Sequence, residues 1–124
     1  MTLLFIYNAT SGKLNSLFDA AHKIISPKTY QCKLCSLTHD AISENKLWRE
    51  FREKTVLPLV FYHIDEFEKQ FPRERFQYPV ILLQNNNKLT EWISKDELEK
   101  IVTTKALIYR IQSKAATMNP SNPD

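Results

Sequence analysis

The chain has 124 residues, enough for one domain that buries roughly two-thirds of its unfolded surface around a single core. An apolar fraction of 43% and a charged fraction of 25% are those of a globular protein and exclude general disorder. A net charge of +3, with Lys and Arg interspersed among Asp and Glu, leaves no electrostatic footprint for nucleic acid, and the single glycine, Gly12, excludes most glycine-rich ligand loops.

Thr2 to Asn8 is short and continuously apolar, which predicts a buried strand at the start of the chain. The apolar run Leu3 to Tyr7 is far too short to cross a membrane. It also has neither the basic leader nor the small-residue cleavage site of a signal peptide, so a cytoplasmic protein with no membrane partner is expected. Thr10 or Ser11 then caps a helix in which Leu14, Leu17, Phe18, Ala21, Ile24 and Ile25 make one apolar stripe, stopping near Ser26 ahead of Pro27. Lys28 to Ala41 has no single period: Tyr30, Cys32 and Leu34 alternate as in a strand, and Cys35 and Leu37 switch the face.

A second helix is expected with Ser43 as its cap, Ile42 and Leu47 as a hydrophobic staple, and Leu47, Trp48 and Phe51 as its buried face. Arg49, Glu50, Arg52 and Glu53 are expected in solvent. Leu57 to Ile64 reads as a second buried strand, with Pro58 tolerated at its beginning, and Asp65 with Glu68 as a short capped helix ended by Pro72. Tyr78 to Leu83 is a third strand. Asn85-Asn86-Asn87 suits a tight turn because Asn tolerates left-handed backbone angles, and Lys88 to Ile93 returns as the hairpin partner. Ser94 and Glu97 form a capping box, Ile93 and Leu98 its staple, and Leu98, Ile101 and Val102 the packing face of a last helix. Residues 1–112 are therefore read as one domain and 113–124 as a disordered tail.

The only cysteines form the motif Cys32-Lys33-Leu34-Cys35. In a reducing compartment a close pair is more often catalytic, regulatory or metal-binding than a structural staple. As a redox pair, Cys32 and Cys35 are the catalytic candidates, with Lys33, Lys28 and His39 near enough in sequence to supply positive charge. As a zinc site, Cys32, Cys35 and His39 supply three ligands of the four that a closed tetrahedron needs, so metal is the alternative reading. The third possibility is two inert thiols packed in the core. His63 reads as a strand-end histidine, and Trp48 and Trp92 as core aromatics.

From Leu59 to Val102 the chain has a strand ending in His63-Ile64-Asp65, a short helix reaching Pro72, and a Tyr78-Pro79 pair that opens a strand, hairpin and helix. This order resembles the C-terminal half of the thioredoxin superfamily, and Leu3 to Ile25 resembles its first strand–helix unit. The resemblance implies an α/β, thioredoxin-like fold with a central mixed sheet flanked by helices. It also implies a cis proline at Pro79 and a substrate groove at Tyr78 and Pro79. The superfamily's Cys-x-x-Cys lies at the turn from the first strand into the first helix, where this chain has Thr10-Ser11-Gly12-Lys13. Cys32 and Cys35 come after that helix, so the scaffold transfers and the place of the motif does not.

Asn8 to Lys13 together with the Cys pair also resembles a group of short bacterial proteins, some of them labelled GTPases. A phosphate-binding P-loop needs glycine where Tyr7 stands and Ser or Thr where Leu14 stands, so nucleotide hydrolysis is not supported. The expected function is thiol–disulfide exchange or redox sensing through Cys32 and Cys35, with no cofactor and a protein thiol client as partner. The alternative is a non-enzymatic binding module whose Cys pair is structural or holds zinc. Whether the chain is an enzyme, and its oligomeric state, stay open at this stage.

Overall fold

The structure is a computed structural model and describes residues 1–9, 32–39 and 44–118. The helix expected over Leu14 to Ile25 with its cap, Ser43 and Ile42 as cap and staple, and the end of the tail lie outside the described residues. Among those described, four strands form one mixed sheet in the order β2-β1-β3-β4: β1 (Thr2–Tyr7), β2 (Leu59–His63), β3 (Val80–Asn85) and β4 (Lys88–Ile93). Five helices accompany it: α1 (Lys33–Thr38), α2 (Lys46–Lys54), α3 (Ile64–Gln70), α4 (Lys95–Lys100) and α5 (Thr104–Thr117). The fold is α/β.

β1 pairs in parallel with β2, Leu3 facing Leu59 and Tyr7 facing His63, and antiparallel with β3, Ile6 facing Val80. As an inner strand covered on both faces, it is apolar at every step from Leu3 to Tyr7 rather than alternating. Leu3, Phe5 and Tyr7 point into one cluster with Leu34, Trp48, Leu98, Leu107 and Ile111, supplied by α1, α2, α4 and α5. Leu4 and Ile6 point to the other face, where Phe67 of α3 is wholly buried with Val80 and Leu82. The β3–β4 hairpin turns at Asn86, whose φ of 59° is the left-handed value that the Asn run predicts.

Several boundaries differ from the sequence reading, each for a local reason. The cap of α2 is Asn45, whose side-chain oxygen accepts from Trp48 N–H at 3.1 Å. That start turns Trp48 inward, with no exposed surface, and leaves Leu47 45% exposed, so Leu47 is not part of the buried face. β2 runs into α3 without a loop: His63, not Asp65, is the cap, and its N–H is taken by Glu66 Oε1 at 2.9 Å. The Ser94–Glu97 capping box is formed, but α4 stops at Lys100 and leaves Val102 exposed. Thr103 then caps a further helix, α5, through Ala106 N–H at 3.0 Å. α5 buries Leu107 and Ile111 and continues to Thr117, so residues 113–117, expected in a tail, are its last turn. No helix among the described residues is long and apolar enough to cross a membrane.

Candidate functional site

The Cys pair lies at the carboxyl end of β1. Cys32 is the cap of α1, and its Sγ accepts the Cys35 N–H at 3.2 Å, the role an oxygen side chain usually fills. The same sulfur accepts the Asn8 N–H at 3.3 Å, across 24 residues of sequence. The pair that falls beyond the first expected helix in sequence thus stands at the end of the first strand in space. Cys32 and Cys35 are joined as a disulfide with Cα atoms 5.2 Å apart, and they are only 2% and 1% exposed.

One turn beyond the sulfurs, buried Thr38 organises the end of α1. Its hydroxyl donates to the Leu34 carbonyl at 2.9 Å, while Tyr7 Oη lies at 3.2 Å and His39 Nδ1 at 2.9 Å. A hydroxyl has one proton and two acceptor sites, so O–H from Tyr7 and N–H from His39 complete it. Thr104 of α5 donates to the Leu37 carbonyl at 2.6 Å and ties that helix to α1. Beside this network a cleft of about 310 Å³ opens between Tyr7, His39, the Glu44–Arg52 pair, Phe61 and His63.

Arg52, expected in solvent, instead forks onto Glu44 through Nε at 2.8 Å and Nη2 at 2.9 Å. That hydrogen bonding holds the Glu44 carboxyl below its usual range and raises Arg52, in each case against the opposing effect of burial. A carboxyl depressed in the folded state contributes stability above its unfolded value near 4.5 and loses it as pH falls through the folded value. Both side chains are partly solvated, so Glu44→Gln is expected to cost about 1 kcal/mol or less at pH 7. In urea melts the difference from the parent should shrink as pH falls below 4.5 and vanish once pH is below the folded value, where the parent carboxyl is protonated as well.

The predicted groove residues separate. Tyr78–Pro79 is a cis peptide bond. Pro79 is buried, and one step beyond the Ile6–Val80 pairing the register sets it abreast of Tyr7. The Tyr78 ring belongs to the opposite cluster, edge-on to Phe67 at 6.2 Å, with its hydroxyl donating to Glu68 at 3.3 Å. Burial raises the Tyr78 pKa, and the Glu68 carboxylate adds to the rise. Of the alternative metal set, the two sulfurs are bonded to each other and His39 Nδ1 is engaged with Thr38. Among the described residues no group of three His, Cys, Asp or Glu is arranged to hold a metal ion.

The Tyr7–Thr38–His39 network and the Glu44–Arg52 fork are absent from the sequence reading. Only the nearness of His39 to the Cys pair hinted at them. No family model, curated protein or solved structure matches this chain.

Proposed function

We propose that this chain is a small thioredoxin-like protein that carries out thiol–disulfide exchange or redox sensing, with Cys32 as the attacking thiol and Cys35 as the resolving one. The observation that carries the reading is the convergence of two backbone N–H groups, from Asn8 and Cys35, on the Cys32 sulfur. Such donors favour negative charge on that sulfur once the bond is open, and the thiolate is the attacking form. The order of elements adds support: a first strand ending beside a Cys-x-x-Cys helix cap, a cis proline opening the strand beside it, then a hairpin and helix.

In the forward direction the Cys32 thiolate attacks one sulfur of a client disulfide, forming a mixed disulfide and releasing a client thiolate. Cys35, deprotonated, then attacks Cys32 and frees the second client thiolate. Two electrons pass to the client, two protons end on it, and the Cys32–Cys35 disulfide remains. A client protein thiol or disulfide is the partner, and a reducing cytoplasm is the setting in which the pair would be recharged.

Titration against graded thiol buffers, with free thiols counted by mass after alkylation and metal measured on the same sample, tests the reading. One reversible two-electron step between roughly −180 and −300 mV is expected. Thiols that never exchange would overturn it. The second reading, a non-enzymatic binding module with a structural disulfide, draws on the near-complete burial of both sulfurs. It requires a potential below about −300 mV.

A further inference from the structure

Among the described residues the sheet has two edges, β2 and β4, and they are built differently. β4 carries Lys88 and Glu91, and its register with β3 shifts between Ile81 and Leu82; charge and irregularity are the usual defences of an edge. β2 reads Leu-Val-Phe-Tyr-His, with no charged residue other than its terminal histidine when protonated, no proline within it and no register break against β1. Val60 is 37% exposed there.

The outward hydrogen-bonding groups of β2 follow from the inward ones. In a parallel pair the N–H and C=O of one residue point to the same side, and the side alternates along the strand. The Pro58 carbonyl accepts from Leu3 N–H at 3.0 Å, and Ile64 N–H donates to Ala9 at 2.9 Å. Residues 58, 60, 62 and 64 therefore face β1, and Leu59, Phe61 and His63 face away from the sheet. His63 N–H is already given to Glu66. What remains outward is the N–H and C=O of Leu59 and Phe61 and the C=O of His63.

We propose that this edge pairs antiparallel with β2 of a second copy of the chain, with Phe61 on the two-fold axis. The two Phe61 residues then exchange N–H···O bonds reciprocally, and each Leu59 N–H donates to the other copy's His63 carbonyl. The His63 N–H, which would complete each Leu59–His63 pair by donating to the Leu59 carbonyl, is given to Glu66 instead, so the ladder has four bonds and the Leu59 carbonyl keeps to solvent. Val60 lies opposite the other copy's Tyr62, a β-branched residue against an aromatic one, and no like charges meet. The two four-stranded sheets become one continuous sheet.

The test uses the full chain, in reductant and without it, by sedimentation across a concentration series together with amide hydrogen exchange. A reversible species of twice 14.6 kDa, with concentration-dependent protection of the Phe61 amide, is expected. Val60→Lys sets the two lysines diagonally at roughly 7–8 Å and should weaken association about tenfold or more, with circular dichroism unchanged. A monomer at all concentrations overturns the proposal, and so does a dimer that reductant abolishes. A dimer indifferent to Val60→Lys with Phe61 unprotected also overturns it, because the interface is then elsewhere. Protection of Phe61 without a doubled mass does the same, because something other than a second copy covers the edge.

Discussion

Replacing Cys35 with serine is expected to arrest the protein as a mixed disulfide with its client, while replacing Cys32 with serine removes exchange altogether. The asymmetry follows from geometry. Among the described residues only the Cys32 sulfur receives N–H groups, from Asn8 and Cys35, and on the proposed reading this makes it the one to carry charge and attack. With Cys35 gone, the first exchange still proceeds, but no second thiol is at hand to release the client. Loss of the attacking group should lower the exchange rate by roughly a hundredfold or more, whereas Cys35→Ser should accumulate a covalent adduct that reductant releases. Mass spectrometry of the alkylated reaction mixture distinguishes the two. Equal behaviour of the two variants would remove the assignment of roles, and unaltered client binding by both would favour the binding-module reading.

The largest loss of stability is expected at Trp48. Its side chain is wholly buried and meets Phe5 edge-on at 5.5 Å, Phe51 at 5.4 Å and Phe61 at 6.4 Å. Trp48→Ala leaves a cavity where α2 meets the sheet and should cost about 3–5 kcal/mol. That is a large part of the roughly 5–15 kcal/mol that holds a domain together, and the urea midpoint should fall by roughly 2 M. Trp48→Phe should recover much of the loss, since it keeps ring contacts and discards a buried indole N–H that finds no partner among the described residues. Tyr109→Ala, at a position 71% exposed, should stay within about 0.5 kcal/mol of the parent. A midpoint for Trp48→Ala close to that of Tyr109→Ala would mean that the cluster is not packed as described.

Local signals carried most of the fold. The apolar run of β1, the Asn turn of the hairpin and the Ser94–Glu97 box are all decided by neighbours in sequence, and all are present. The run read as a second buried strand does form β2, but β2 ends the strand order and none of its residues is buried, because an apolar run alone does not say which strand is central. α1 was hidden because its cap is a sulfur, outside the set of residues that ordinarily announce a helix start. α5 was hidden by composition: Leu107, Ile111 and Ala115 keep a four-residue spacing, but Lys, Arg, Gln and Ser between them give the stretch the look of a tail. The site was the least legible part. Its cysteines stand out as the only two in the chain, yet the contacts that give them a setting join Asn8 to Cys32 and Tyr7 to Thr38, and no periodicity encodes contacts between residues so far apart. The Glu44–Arg52 fork has the same origin, because it links the approach to α2 with that helix's own second turn.

The hairpin offers a practical handle. Asn85 to Lys88 is exposed throughout, and the pairing of Thr2 with Gln84 fixes this turn beside the beginning of β1, whereas the sulfurs stand at its far end. Six residues of strand at about 3.3 Å each separate the two by roughly 20 Å. A dye, an affinity tag or a surface tether grafted between Asn86 and Asn87 therefore leaves the thiols clear. It also avoids the outer edge of β2, which lies across β1 from the hairpin. One labelled protein can then report on both exchange and self-association.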